Sequence, residues 1–296
     1  MTQARPIHDA DPGVGIEKAS SLLSGALARP VAGFAPLHFR HELIGAVSPQ
    51  WIDLLEPSLF DVTPREDDPL PRVRLKGGDR RSEGGLIPIE RINASLQAWA
   101  IDLKQRGLLP GWRGERTLLF GASEGDPLFG IERSLLRPLG LLLRTVQVNV
   151  FTVQKKQLRI WVALRAPGKP VDPGLLDTLV GGGIIEDASP LETLTREAQE
   201  EAGIARSLAR RAVPVGVIDS TAAEQDGAST VLHRERAMLY DLQVPPEYAP
   251  RLLDGEVSEA SLEAASAVLG SITAGHWTRE GAWASHDLIR RHAAVH

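Results

Sequence analysis

The stretch that decides the fold is Gly181-Gly-Gly-Ile-Ile-Glu-Asp-Ala-Ser-Pro-Leu-Glu-Thr-Leu-Thr-Arg-Glu-Ala-Gln-Glu-Glu-Ala-Gly-Ile204. It reads as a glycine-rich loop that leads directly into a helix. Ser189 is a typical N-cap, Pro190 suits the first helical position, and Glu192 can complete a capping box with the serine. Gly203 predicts the end of the helix, because glycine accepts the left-handed conformation of a C-terminal cap.

The predicted helix carries three glutamates on one sector of its surface, Glu197, Glu200 and Glu201. Its small and aliphatic residues fall on another sector, which can face a core. Like charges at this spacing oppose the helix, and a divalent cation would remove the penalty. Mg²⁺ prefers carboxylate oxygens and substrate phosphates. An acidic cluster alone could be a solvated face, but the glycine loop and the capped helix favour a metal site for phosphate chemistry.

These residues resemble the signature of the Nudix hydrolases, in which a glycine, a glutamate and an Arg-Glu pair precede two adjacent glutamates and a closing glycine. The matching positions are Gly182, Arg196, Glu197, Ala198, Glu200, Glu201, Gly203 and Ile204. The resemblance implies an α/β fold, a Nudix α/β/α sandwich with a mixed sheet. It also implies hydrolysis of a diphosphate linkage with Mg²⁺, or with Mn²⁺, held by Glu197, Glu200, Glu201 and the carbonyl of Gly182 or Gly183.

One signature position departs from the family pattern, because Ala188 stands where a glutamate is usual. In the family that glutamate usually braces the loop against the arginine, here Arg196. Either Asp187 or Glu186 substitutes for it, or Arg196 pairs with a glutamate of its own helix.

Composition agrees with an intracellular enzyme of more than one part. The chain has 296 residues, of which 43% are hydrophobic, and it is longer than a typical single core. It has no cysteine, which excludes disulfides, thiolate metal sites and thiol nucleophiles. A formal charge of −5 and a pI near 5.9 argue against nucleic acid or an anionic membrane as partners and allow a small anionic substrate. The N-terminus lacks an apolar run long enough for a signal sequence or membrane helix, so we expect a cytoplasmic protein.

We expect three parts along the chain. Residues 1–30 form an N-terminal lead, 31–143 a smaller α+β domain, and 144–296 the Nudix domain. Apolar residues at helical spacing predict a helix over 88–106, and a second, weaker helix is expected over 132–143. Alternating residues from Val146 predict a strand that continues as a hairpin, and further strands and a final helix follow the acidic helix.

A second resemblance indicates a particular class of diphosphate substrate. The segments Gly111-Trp-Arg-Gly-Glu115, Val146-Gln-Val-Asn149, Pro173-Gly-Leu-Leu-Asp177 and Asp254-Gly-Glu-Val257, with Arg165 and Lys169, look like a Nudix branch with an extra N-terminal domain. That branch is associated with thiamine pyrophosphokinase-related sequences. It implies hydrolysis of thiamine diphosphate, or of its oxidised analogues, to the monophosphate.

Several side chains outside the signature are candidates for the site. Arg165 and Lys169 are basic residues that could contact phosphate, and Glu256 could serve as general base or extra metal ligand from a later loop. Trp112 could stack on a cationic or aromatic ring, with Arg113 beside it in the same polar loop. Each of these also has an ordinary structural explanation, as a solvated or packing residue.

Two other hypotheses stay open at this stage. The chain could hydrolyse a different diphosphate, such as a nucleotide sugar or dinucleotide, or it could be a binding module with little turnover. Its oligomeric state is open, with a homodimer as one option.

Overall fold

The computed structural model describes eight ranges of the chain, which are 32–77, 88–109, 111–121, 127–169, 171–186, 188–226, 229–253 and 255–294. The predicted lead over 1–30 lies outside these ranges, as do Asp187 and Asp254 of the predicted motifs.

The N-terminal region is built on a four-stranded sheet and one long helix. Its elements are β1 (Ala35–Phe39), β2 (Glu42–Val47), α1 (Pro49–Ile52), β3 (Phe60–Arg65), β4 (Asp68–Leu75) and α2 (Ile89–Gln105). The strand order is β2-β1-β4-β3, with β1 and β4 parallel and the other pairs antiparallel. The helix predicted over 88–106 is confirmed, and it buries Leu96 and Leu103 in a core that also contains Leu37 and Phe39.

A hairpin and a sharp turn connect this region to the second sheet. The hairpin consists of β5 (Arg116–Phe120) and β6 (Pro127–Glu132), and a short 3-10 helix follows (Arg133–Leu135). The helix expected over 132–143 is therefore wrong. Gly140 has a φ of +56°, which ends helical geometry, and the next strand begins two residues later at Leu142.

The second sheet has a mixed topology. Its strands are β7 (Leu142–Gln154), β8 (Gln157–Arg165), β9 (Leu176–Thr178), β10 (Val180–Gly183), β11 (Val213–Asp226), β12 (Ser229–Gln243) and β13 (Val257–Ala264). The main order is β11-β12-β7-β8-β13, and β10 pairs with β7 while β9 pairs with β8. The β12–β7 pair is parallel and the others are antiparallel. The expected domain boundary at 143/144 falls inside β7.

Helices cover both faces of this sheet. The remaining helices are α3 (Pro190–Ala202), α4 (Arg206–Ala209), α5 (Ala265–Thr273) and α6 (Arg279–Ala293). Side chains alternate along β7, so Val146 and Val148 share a core with Leu194 of α3. Asn149 lies on the other face, where its Nδ2 donates to the Ala284 carbonyl of α6 at 3.0 Å. This arrangement is the predicted α/β/α sandwich with a mixed sheet, preceded by a smaller α+β region. None of the helices in the described ranges combines the length and apolar character needed to cross a bilayer.

Gly140 provides a test of how the two regions are joined. The Ala46 amide donates to the Leu139 carbonyl at 3.1 Å, and a Cβ on Gly140 would collide with the Ala46 carbonyl oxygen. Gly140→Ala should therefore lower the free energy of unfolding by roughly 2 to 4 kcal/mol, measured by urea denaturation. Gly216→Ala is the matched control, because a Cβ there meets no atom within 4 Å, and we expect a change below about 1 kcal/mol. Equal stabilities for the two variants would contradict the packing described for Gly140.

Candidate active site

The acidic helix α3 begins and ends where the sequence predicts. The Glu192 amide donates to Ser189 Oγ at 3.2 Å and the Ser189 amide donates to Glu192 Oε2 at 2.9 Å, so the capping box is complete. Gly203 closes the helix with a φ of +63°. These caps satisfy amides that the helix itself leaves without partners, and they fix which residues face the sheet.

Two contacts attach this helix to the glycine strand β10. Glu201 is buried, and its Oε2 accepts a hydrogen bond from the Gly181 amide at 2.9 Å. The Glu197 carboxylate lies directly against Gly182, where any Cβ would overlap it. Gly182 is therefore needed for close approach of the helix to the strand, rather than for an unusual backbone conformation.

The pairing of β10 with β7 decides which carbonyls reach the site. Gly182 is opposite Val146, whereas the Gly181 amide points away from β7 toward Glu201. Because the polar groups of a strand alternate in direction, the carbonyls of Gly181 and Gly183 point to the outer edge and that of Gly182 points to β7. Of the two carbonyls predicted as metal ligands, that of Gly183 therefore fits this geometry better than that of Gly182. The Gly181 carbonyl points to the same edge as that of Gly183.

Arg196 pairs with glutamates of its own helix, which is the second of the alternatives that Ala188 left open. Its guanidinium donates to Glu197 Oε1 at 2.7 Å and to Glu200 Oε2 at 2.9 Å. Burial raises the pKa of Glu197, and the charges of Glu200 and Glu256 raise it further against the opposing effect of Arg196. The site therefore holds more negative charge than its own arginine balances.

The acidic helix opens onto a cavity of about 560 Å³. Its walls contain the predicted residues Gly182, Arg196, Glu197, Glu200, Glu201, Arg113, Arg165, Lys169 and Glu256. The structure thus brings together nine of the ten predicted site residues from distant parts of the chain. Within the described ranges, no three acidic or histidine side chains converge closely enough to coordinate an ion as they stand.

Trp112 is the tenth predicted residue, and it is not among the residues that line this cavity. It packs against the core of the N-terminal region, and Lys104 Nζ lies 4.6 Å from its ring centroid. One face of the indole is thus already engaged by a cation of the protein itself.

Glu256 reaches the cavity as part of a cluster with two cations. Its carboxylate accepts a hydrogen bond from Lys169 and lies 3.5 Å from the guanidinium of Arg113. Burial opposes ionisation of Glu256, but the hydrogen bond and charge of Lys169, with the charge of Arg113, hold its pKa below the ordinary value. Glu256 is therefore an ionised partner that keeps two cations at the cavity wall.

Arg165 serves mainly to hold the adjacent loop. Its guanidinium donates to Asp177 Oδ2 at 3.0 Å and to the Val171 carbonyl at 2.8 Å, and its Nε lies 3.2 Å from the Asp172 carbonyl. All three nitrogens have protein acceptors, which leaves fewer donors for a phosphate than the sequence suggests.

A second group of polar side chains, which was not predicted from the sequence, lies beside the cavity around the buried His233 and Glu235. His233 Nε2 lies 3.0 Å from Glu235 and its Nδ1 lies 3.3 Å from Glu224. Burial disfavours the charged imidazole, but the two carboxylates raise the pKa of His233 to about 9. Glu280 is buried near the same group and accepts a hydrogen bond from Ser220. Burial, together with the charge of Glu235, raises the pKa of Glu280 to about 7. Alternation of polar residues along β12 is the signal that could have identified this face.

Residues 143–280 match the family model described as NUDIX domain. The chain is 34% identical over 175 residues to "Nudix hydrolase 24, chloroplastic" and 31% identical over 175 residues to "Nudix hydrolase 20, chloroplastic", both from Arabidopsis thaliana. Each alignment covers 59% of this chain and 47% or 46% of the relative, so the chain spans less than half the length of these two proteins. Among solved structures it is similar to DR0079 from Deinococcus radiodurans, with 22% identity, a TM-score of 0.42, and coverage of 60% of this chain and 98% of that one.

The buried Glu280 makes stability depend on pH in a defined direction. Its folded-state pKa of about 7 lies above the ordinary 4.5, so its contribution is fully present below pH 4.5 and is lost as the pH rises through 7. Relative to Glu280→Gln, the wild type should lose roughly 2 to 3 kcal/mol of unfolding free energy across that window. Urea denaturation at a series of pH values measures this difference. The control is Glu247→Gln, an exposed change whose unfolding free energy should follow the wild type at every pH. Parallel pH curves of unfolding free energy for the wild type and Glu280→Gln would contradict the assignment.

Proposed function

We propose that this chain is a divalent-metal-dependent hydrolase that cleaves a diphosphate linkage. The observation that carries the proposal is the NUDIX acidic helix, whose Glu197, Glu200 and Glu201 open with the glycine strand onto one cavity that also holds Lys169. A diphosphate resists attack because its oxygens repel a nucleophile, so cations beside the phosphates and a positioned water are the features that hydrolysis requires.

The donor chemistry of the site suits Mg²⁺ or Mn²⁺. Glu197, Glu200 and Glu201 would hold the ion, with an edge carbonyl of β10 close by. Arg196 now donates to one oxygen of Glu197 and to one oxygen of Glu200. The raised pKa of Glu197 is consistent with a site where added positive charge is favourable. When bound, the ion would offset charge on the phosphate oxygens.

The remaining residues account for the other needs of the reaction. Water attacks the terminal phosphorus, the bond from that phosphorus to the bridging oxygen breaks, and a carboxylate takes the proton from the water. The products are a monophosphate and inorganic phosphate. Lys169 and Arg113 are positioned to attract the anionic substrate. Glu256 is our first candidate for the base. Because its carboxylate is already paired with Lys169, Glu197 is the next candidate.

We further propose thiamine diphosphate or an oxidised analogue as the substrate. The support is the resemblance of several segments to the thiamine-related branch and a cavity large enough for a small organic diphosphate. The walls include residues from the region before the NUDIX domain, such as Arg113, which a minimal hydrolase of this kind would not need. Cytoplasmic location and a homodimer remain predictions, and the two plant relatives are both named chloroplastic.

The metal assignment predicts the behaviour of single glutamate variants. Glu200→Gln and Glu201→Gln should each reduce Mg²⁺-dependent turnover by about 100-fold or more, because each loses a negative charge at the ion. Their stability in metal-free buffer should stay within about 1 kcal/mol of wild type or rise, because like-charge repulsion is relieved and glutamine at 201 keeps an oxygen that can accept from the Gly181 amide. Phosphate release and urea denaturation measure the two effects. Glu259→Gln, an exposed change on β13, is the control, and wild-type turnover of both test variants at subsaturating metal would refute the assignment.

The substrate assignment predicts a ranking of specificity constants. Thiamine diphosphate or an oxidised analogue should be cleaved to the monophosphate and phosphate with a higher kcat/KM than ADP-ribose, a nucleotide sugar or a nucleoside triphosphate. Product analysis across this panel measures the ranking. A higher kcat/KM for a nucleotide would overturn the thiamine assignment and leave the hydrolase assignment in place. No hydrolysis of any compound in the presence of Mg²⁺ or Mn²⁺ would favour a binding module instead.

A further inference from the structure

Arg133 reaches the candidate site from outside the NUDIX match. It is the first residue of the 3-10 helix that follows β6, ten positions before the matched region begins at 143. Its amide donates to the Glu115 carbonyl at 2.8 Å, which fixes the backbone at this point. The side chain lines the same cavity as Glu197 and Glu200.

The guanidinium of Arg133 is held against the glycine strand. Its NH1 donates to Glu115 Oε2 at 2.7 Å. A Cβ built on Gly183 would lie 2.8 Å from both the Arg133 Cζ and NH2, so a side chain at 183 would displace the guanidinium. Gly183 therefore provides the space for Arg133, as Gly182 does for Glu197.

These two contacts lie on opposite faces of β10. Successive residues of a strand face opposite sides, so Glu197 meets Gly182 on the side of α3 and Arg133 meets Gly183 on the other side. Between them is the outer edge of β10, which pairs only with β7 among the described strands. The Gly181 amide points to that edge, and the alternation of amides directs the Gly183 amide the same way.

Arg133 also has donors left for a ligand. Within the described ranges its only hydrogen-bonded side-chain nitrogen is NH1, whereas Arg165 uses all three of its nitrogens and Arg196 uses two on the acidic helix. Its side chain is 27% exposed. A guanidinium fixed by one carboxylate is preorganised to offer its free nitrogens to phosphate oxygens.

We propose that Arg133 is a phosphate-binding residue that binds a diphosphate at the edge of β10, on the face opposite the acidic helix. Glu115 is the positioning residue that holds it. The substrate would thus be bound between a NUDIX element and an arginine supplied by the preceding region. This inference rests on the proposed function for the identity of the anion, and its test separates binding from hydrolysis.

The test measures binding of methylenediphosphonate, which has no bridging oxygen to hydrolyse, by calorimetry in the presence of Mg²⁺. Arg133→Gln in the full chain should weaken binding by about tenfold or more, because charged hydrogen bonds to the anion are lost. Arg116→Gln is the matched control, because Arg116 lies in the same hairpin against Gly130 but does not line the cavity. It should change affinity by less than about twofold.

Glu115→Gln gives a second measurement, which is informative even if the Arg133→Gln variant does not fold. It keeps the arginine but weakens its support, and binding should fall by about twofold to fivefold. Wild-type affinity in both Arg133→Gln and Glu115→Gln, or an equal loss in Arg116→Gln, would overturn the proposal. Arg133-dependent binding without hydrolysis of any diphosphate would keep this inference and refute the proposed function. Hydrolysis with Arg133-independent binding would do the reverse.

Discussion

The hydrogen bond from the Gly181 amide to the buried carboxylate of Glu201 is the constraint on which the rest of the site depends. A buried carboxylate without a partner would cost several kcal/mol, so this contact fixes the distance between α3 and the edge of β10. At that distance Glu197 lies against Gly182, and only glycine fits there. The spacing between the glycine loop and the acidic helix therefore follows from packing as much as from chemistry.

Charge is distributed unevenly over the cavity. The acidic helix has more carboxylates than Arg196 neutralises, whereas Glu256 is balanced by Lys169 and Arg113. A divalent cation would offset the excess negative charge of the acidic helix, and the phosphates of an anionic substrate would offset the positive charges of the cation, Lys169 and Arg113. The linked side chains of His233, Glu235 and Glu224 add a further polar group, carried by β11 and β12 of the sheet.

Local signals made much of this structure predictable, whereas contacts between distant segments were not. Ser189 and Gly203 determine the helix ends through hydrogen bonds within a few residues, and Pro190 suits the first turn because its φ is fixed. The helix over 190–202 was predicted correctly. The expected helix over 132–143 failed because the turn at Gly140 is set by its contact with Ala46, almost a hundred residues earlier. Trp112 illustrates the same limit, since its polar neighbours suggested a ligand site while its indole packs on a core built from remote residues. The Arg133 contact with Gly183 likewise has no local signal, because the two segments meet only in the folded chain.

The central claim is that the acidic helix and the glycine strand bind a divalent cation for phosphate chemistry. Titration of Mn²⁺ followed by electron paramagnetic resonance tests it directly, because bound Mn²⁺ loses the sharp signal of the free ion. We expect saturable binding of Mn²⁺ by the wild type, and binding that is weaker by about tenfold or more in Glu197→Gln. Absence of Mn²⁺ binding by the wild type, with and without methylenediphosphonate, or equal binding by Glu197→Gln, would contradict it.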